Sequence, residues 1–94
     1  MAVDFYHISD KAFKNRLFSF DDNDFEKLQP VLSQFKNLTG LVIDQYDDTR
    51  VSYDHIKLII KLIDVQLSNI PSKDLSNIKD KFLIAESDVI AIGD

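Results

Sequence analysis

Ninety-four residues, 45% apolar and 11% aromatic, suit one domain spanning 1–94 with a single modest core, and they exclude an intrinsically disordered chain. The formal net charge of −5 rests on sixteen acids, fourteen of them Asp, which repel phosphate backbones and disfavour direct nucleic-acid binding while favouring a basic protein partner. There is no cysteine, so disulfides, thiolate metal sites and a cysteine nucleophile are excluded, and no apolar run exceeds four residues, far short of the roughly 20 that span a bilayer.

Asp is a poor helix-interior residue and a good cap, so much of this charge is expected at helix starts and in loops. The opening MAVDFYHISD has neither a basic nor an apolar leader segment, and a cytoplasmic protein without a signal peptide is expected. Residues 2–7 alternate loosely and predict a short strand. Ser9 reads as an N-cap, Asp10 suits a first turn, and Phe13, Leu17 and Phe20 have helical spacing, so a helix is expected over 10–18. A second start signal lies at Asp21-Asp22-Asn23-Asp24. Asn23 and Glu26 have capping-box spacing, and Asp21 or Asp22 would cap equally well.

Phe25, Leu28, Leu32 and Phe35 then form one helical stripe, with Pro30 expected to kink it near Glu26, and Asn37 to Gly40 ends it. Leu41-Val42-Ile43 reads as a short buried strand, followed by a polar loop over 44–50. Ser52 caps the strongest helix, which runs to about Asn69. Ile56, Ile59, Ile60, Ile63 and Leu67 mark one face, widened by Leu58, Leu62 and Val65, and only Lys57, Lys61, Asp64 and Ser68 keep a polar stripe. A helix this apolar is expected at the centre of the fold. Pro71 ends it, Ser72 caps a fourth helix with Leu75, Ile78, Phe82 and Ala85 inward, and residues 89–94 suit a terminal strand paired with 41–43. The expected fold is α+β: a single small α-rich domain with about four helices and two or three short strands.

Asp44, Tyr46, Asp47, Asp48 and Arg50 form the densest polar cluster, with His55 one turn into the next helix. A calcium loop would need a central glycine and a glutamate at its twelfth position, and neither is present. Acid–base catalysis would pair a carboxylate with His55, but no nucleophile signature or phosphate-cradling glycine loop accompanies it, and His7 is distant in the chain. No catalytic residue, metal or cofactor is expected. Two readings of the cluster stand side by side. In one, the acids make local turn hydrogen bonds and Arg50 neutralises Asp44 or Asp48. In the other, Tyr46 and Arg50 anchor a protein partner while the acids complement its positive charge. Asp21, Asp22 and Asp24 divide in the same way between helix capping and an acidic partner patch.

The stretch from Thr39-Gly40 through Ile43-Asp44-Gln45-Tyr46-Asp47-Asp48-Thr49-Arg50 to Ser52 and its helix, residues 39–63, resembles a pattern of small bacterial immunity proteins. These neutralise toxins delivered between competing cells, contact-dependent growth inhibition toxins among them. The pattern departs where Pro is common in place of Gln45 and where Gly occurs in place of Asp47 or Asp48. The resemblance implies a toxin inhibitor acting in the cytoplasm as a monomer in a 1:1 complex, with partner contact at Asp44, Tyr46, Asp47 and Asp48. A nuclease is a toxin class whose basic cleft suits such a surface. The competing expectations are a cytosolic adaptor or regulatory domain, and a small enzyme or metal-binding domain using Asp44, Asp48 and His55.

Overall fold

In the structure, a computed structural model describing residues 2–93, strand β1 (Ala2–His7) returns as strand β2 (Phe18–Asp21). Val3 pairs with Phe20 and Phe5 with Phe18 across this antiparallel ladder, and all four side chains are buried on one face. The helix expected over 10–18 does not form. Asp10 is the physical reason: its carboxylate accepts the Lys14 and Asn15 amides at 3.2 and 2.8 Å, competing with a helical ladder. Phe13 takes a positive φ of 51° within this connection. Phe18-Ser19-Phe20 follows the two-residue period of a strand, so the helical spacing of Phe13, Leu17 and Phe20 is coincidental.

The Asn15 amide is the main cause of the Asp10 carboxyl ionising below its ordinary 3.8; desolvation opposes it, and the Lys14 amide and the Lys14 charge reinforce it. A depressed carboxyl stabilises the fold above its unfolded pKa and loses that contribution as pH falls through the folded value. Below about pH 4, the wild-type urea midpoint should therefore fall more steeply than that of Asp10→Asn. Parallel pH profiles for the two proteins would show that this turn contributes nothing.

Asp21 ends β2 and caps helix α1 (Asp22–Thr39). Its carboxylate accepts the Asp24 amide at 2.8 Å, and the Asp24 carboxylate accepts the Asp21 amide at 3.3 Å. The capping box thus joins Asp21 to Asp24, and not Asn23 to Glu26, because the helix starts directly where the strand stops. Phe25, Leu28, Val31, Leu32 and Phe35 are its buried stripe. The helix continues through Pro30, which lies on the exposed side. Gly40 closes it at φ 76°, its amide donating to the Lys36 carbonyl at 2.7 Å.

Ser52 caps helix α2 (Tyr53–Asn69) through the His55 amide, and Ser72 caps helix α3 (Lys73–Phe82) through the Leu75 amide, as their sequence positions imply. Among the described residues three helices form, against about four expected, because the first expected one is the β1–β2 connection. Ile56, Ile59 and Ile63 of α2 are fully buried, whereas Val65 is half exposed. The three helices pack against one another, so α2 is less enclosed than its composition suggests.

Four antiparallel strands form one sheet in the order β2-β1-β4-β3, where β3 is Thr49–Val51 and β4 is Val89–Ile92. The terminal strand is present, but its partners are β1 and β3; residues 41–43 form no strand. Only Ile43 of that triplet is buried, and Val42 is exposed. β3 lies in the segment expected to be a polar loop. It carries one buried apolar residue, Val51, too few to show a period. The inner face of the sheet presents Val3, Phe5, Phe18, Phe20, Val51, Val89 and Ala91 to the helices. Phe5, Phe18, Phe20 and Phe82 form one aromatic cluster with ring centroids 4.5 to 5.9 Å apart, joining the end of α3 to the β1–β2 hairpin. Among the described residues no helix is long and apolar enough to cross a membrane.

Candidate partner-binding surface

The segment before β3 is a turn built by its own acids. The Asp44 carboxylate accepts the Tyr46 amide at 2.8 Å, and the Asp47 carboxylate accepts the Asp48 amide at 2.8 Å. These are side-chain-to-backbone turn bonds that leave the remaining carboxylate oxygens to solvent. The turn rests directly on the end of β4: the Gly93 amide donates to the Asp47 carbonyl at 3.2 Å. A Cβ at Gly93 would stand 2.5 Å from the Asp47 nitrogen, so only glycine allows this approach. Held in this way, Tyr46 is 59% exposed.

Beside Tyr46 lie the first turns of α1. Asp22, Phe25, Glu26 and Gln29 line a groove of about 280 Å³ together with Gln45 and Tyr46. The start of α1 and the 44–48 turn thus meet at one groove, whose carboxylates come from α1, while Asp44, Asp47 and Asp48 lie on the turn outside its lining. Its lining has two carboxylates, two carboxamides and an exposed phenol, with no Lys or Arg. Glu26, Gln29 and Gln45 are not among the partner contacts the sequence leads one to expect. Residues 22, 26 and 29 do carry a readable signal, since their spacing puts them on one helical stripe that flanks the buried one beside Phe25.

The other candidate residues divide. Asp21 and Asp24 belong to the capping box, and Asp24 also faces Lys81 Nζ at 3.4 Å. Both carboxylates thus have hydrogen-bond partners at the start of α1. Arg50 is exposed in the middle of β3 and, among the described residues, pairs with neither Asp44 nor Asp48. The expected neutralisation across the turn is absent. His55 turns toward α1, its ring edge-on to Phe35 at 5.4 Å. It is not brought together with Asp44 and Asp48 as an acid–base or ligand set. Among the described residues no group of three His, Asp or Glu side chains is placed to hold a metal ion. His7 is engaged separately, its Nε2 accepting the Glu86 amide at 3.2 Å.

Compared with known proteins, the chain matches no family model, no curated sequence and no solved structure.

Proposed function

We propose that this protein is an immunity protein, which neutralises a cognate bacterial toxin by covering it with the acidic surface around Tyr46. The observation that supports this reading is the meeting of the α1 start, Asp22 and Glu26, with the Asp44–Asp48 turn around one exposed tyrosine. A toxin that cleaves nucleic acid needs a basic cleft for phosphates, and carboxylates on a rigid turn can occupy that cleft. Long-range attraction raises the association rate, while an aromatic anchor such as Tyr46 sets the lifetime of the complex.

The double substitution Asp47→Lys, Asp48→Lys tests this reading by association kinetics with the protein encoded immediately upstream of this gene. Association at low salt is expected to slow by about tenfold or more, and the deficit should shrink as salt screens the surface. An association rate unchanged at all salt concentrations would place the contact elsewhere.

A further inference from the structure

The two open edges of the sheet are unlike, and backbone hydrogen bonding shows how. In an antiparallel pair, residues that exchange bonds alternate with residues that do not. Gly93 donates to Asp47 on the register that sets Thr49 opposite Ala91 and Val51 opposite Val89. Thr49 and Val51 therefore bond to β4, and Arg50 does not. Across β4, the Ile8 amide donates to the Asp88 carbonyl at 3.0 Å on the register that pairs Tyr6 with Ile90. Ile90 thus bonds toward β1, which agrees with Arg50 having no ladder bond to it. The Arg50 N–H and C=O point away from the sheet.

By the same alternation Ser19 of β2 faces the opposite edge, but that edge is closed. Lys81 Nζ donates to the Ser19 carbonyl at 2.9 Å while also contacting Asp24. No such guard stands on β3 among the described residues. A second copy of this chain suits the open edge poorly. Pairing centred on Arg50 would set two guanidinium groups opposite each other. Pairing shifted to Asp48 would need its amide, which the Asp47 carboxylate already holds.

We infer that β3 is a docking edge, along which the partner lays an extended segment as a fifth strand, bonded to the Arg50 N–H and C=O. This rests on the immunity reading and specifies how that partner is held. Asp48 lies just before β3, but the Gly93–Asp47 bond carries the β3–β4 register through it, which places Asp48 and Arg50 on the same face. The complementary segment carries an acidic side chain opposite Arg50 and a basic one two residues along, opposite Asp48. Charge order along the segment then fixes its register, which backbone bonds alone leave open. The same segment continues past the 44–48 turn toward Tyr46 and the groove.

Amide hydrogen exchange and one substitution test the inference. In the free protein the Arg50 amide should exchange at least about tenfold faster than those of Thr49 and Val51; equal protection would overturn the open edge. In the complex with the protein encoded immediately upstream of this gene, the Arg50 amide should slow by about a hundredfold, and an unchanged rate would overturn the docking edge. Arg50→Pro removes the outward donor at no cost in ladder bonds and should weaken that complex about tenfold or more. Arg50→Val keeps the donor and should weaken it less. A folded Arg50→Pro protein that binds like wild type would overturn the fifth strand and leave the immunity reading intact. If wild-type protein forms no complex, both are overturned.

Discussion

Phe82→Ala should cost about 3–5 kcal/mol of stability, read as a lowered urea midpoint with a nearly unchanged slope. Phe82 is wholly buried, and its ring meets Phe5, Phe18 and Phe20 at 5.9, 5.5 and 5.2 Å in edge-on contacts. Truncation loses the transfer energy of the ring and leaves a cavity between α3 and the β1–β2 hairpin, where the strand backbones limit collapse. A domain of this kind has a total stability of about 5–15 kcal/mol, so the variant should be near its limit at ordinary temperature. A loss below about 1 kcal/mol would mean that the cluster is not closely packed around this ring.

Gly93→Ala has a more local mechanism and should cost about 1–3 kcal/mol, in the range of overpacked sites. The added methyl would lie 2.5 Å from the Asp47 nitrogen, 2.7 Å from the Gln45 carbonyl oxygen and 2.8 Å from that of Asp47. All three are backbone atoms, which cannot swing aside as the end of a flexible side chain can. Either the 44–48 turn lifts from the sheet or the end of β4 frays. Amide chemical-shift changes should therefore concentrate at residues 44–48 and 89–93, and the Gly93–Asp47 hydrogen bond should be lost. Because the turn carries Tyr46, the variant should also bind its partner more weakly than its stability loss alone explains. Shifts spread evenly over the chain would contradict this picture.

What the sequence made legible is what short-range chemistry decides. Ser52 and Ser72 accept from amides within the next turn and Gly40 donates to a carbonyl of the turn before it, and each marks a helix end where the local pattern places it. The buried stripes of α1 and α3 likewise need only their own periodicity. The β1–β2 hairpin was hidden by Asp10, whose carboxylate satisfies the amides that a helix would have used. β3 was hidden by its length, and the partner of β4 by sequence distance, since any apolar run satisfies an alternating tail. The candidate surface follows the same division. Asp22 and the Asp44–Arg50 segment are conspicuous one at a time, but their positions on the surface depend on two long-range events: the approach of the turn to Gly93 and the packing of the α1 start beside it. The roles of Asp24 as a partner of Lys81 and of Arg50 as the centre of an unguarded edge have the same origin, because the first depends on how α1 and α3 pack and the second on strand order.

Growth of cells that express the protein encoded immediately upstream of this gene, with and without the present chain, tests the central claim most directly. Wild-type protein should restore growth, and the Asp47→Lys, Asp48→Lys variant, made at equal abundance, should restore it less. No rescue by wild-type protein would contradict the immunity function, and equal rescue by the variant would contradict the acidic turn as its contact surface.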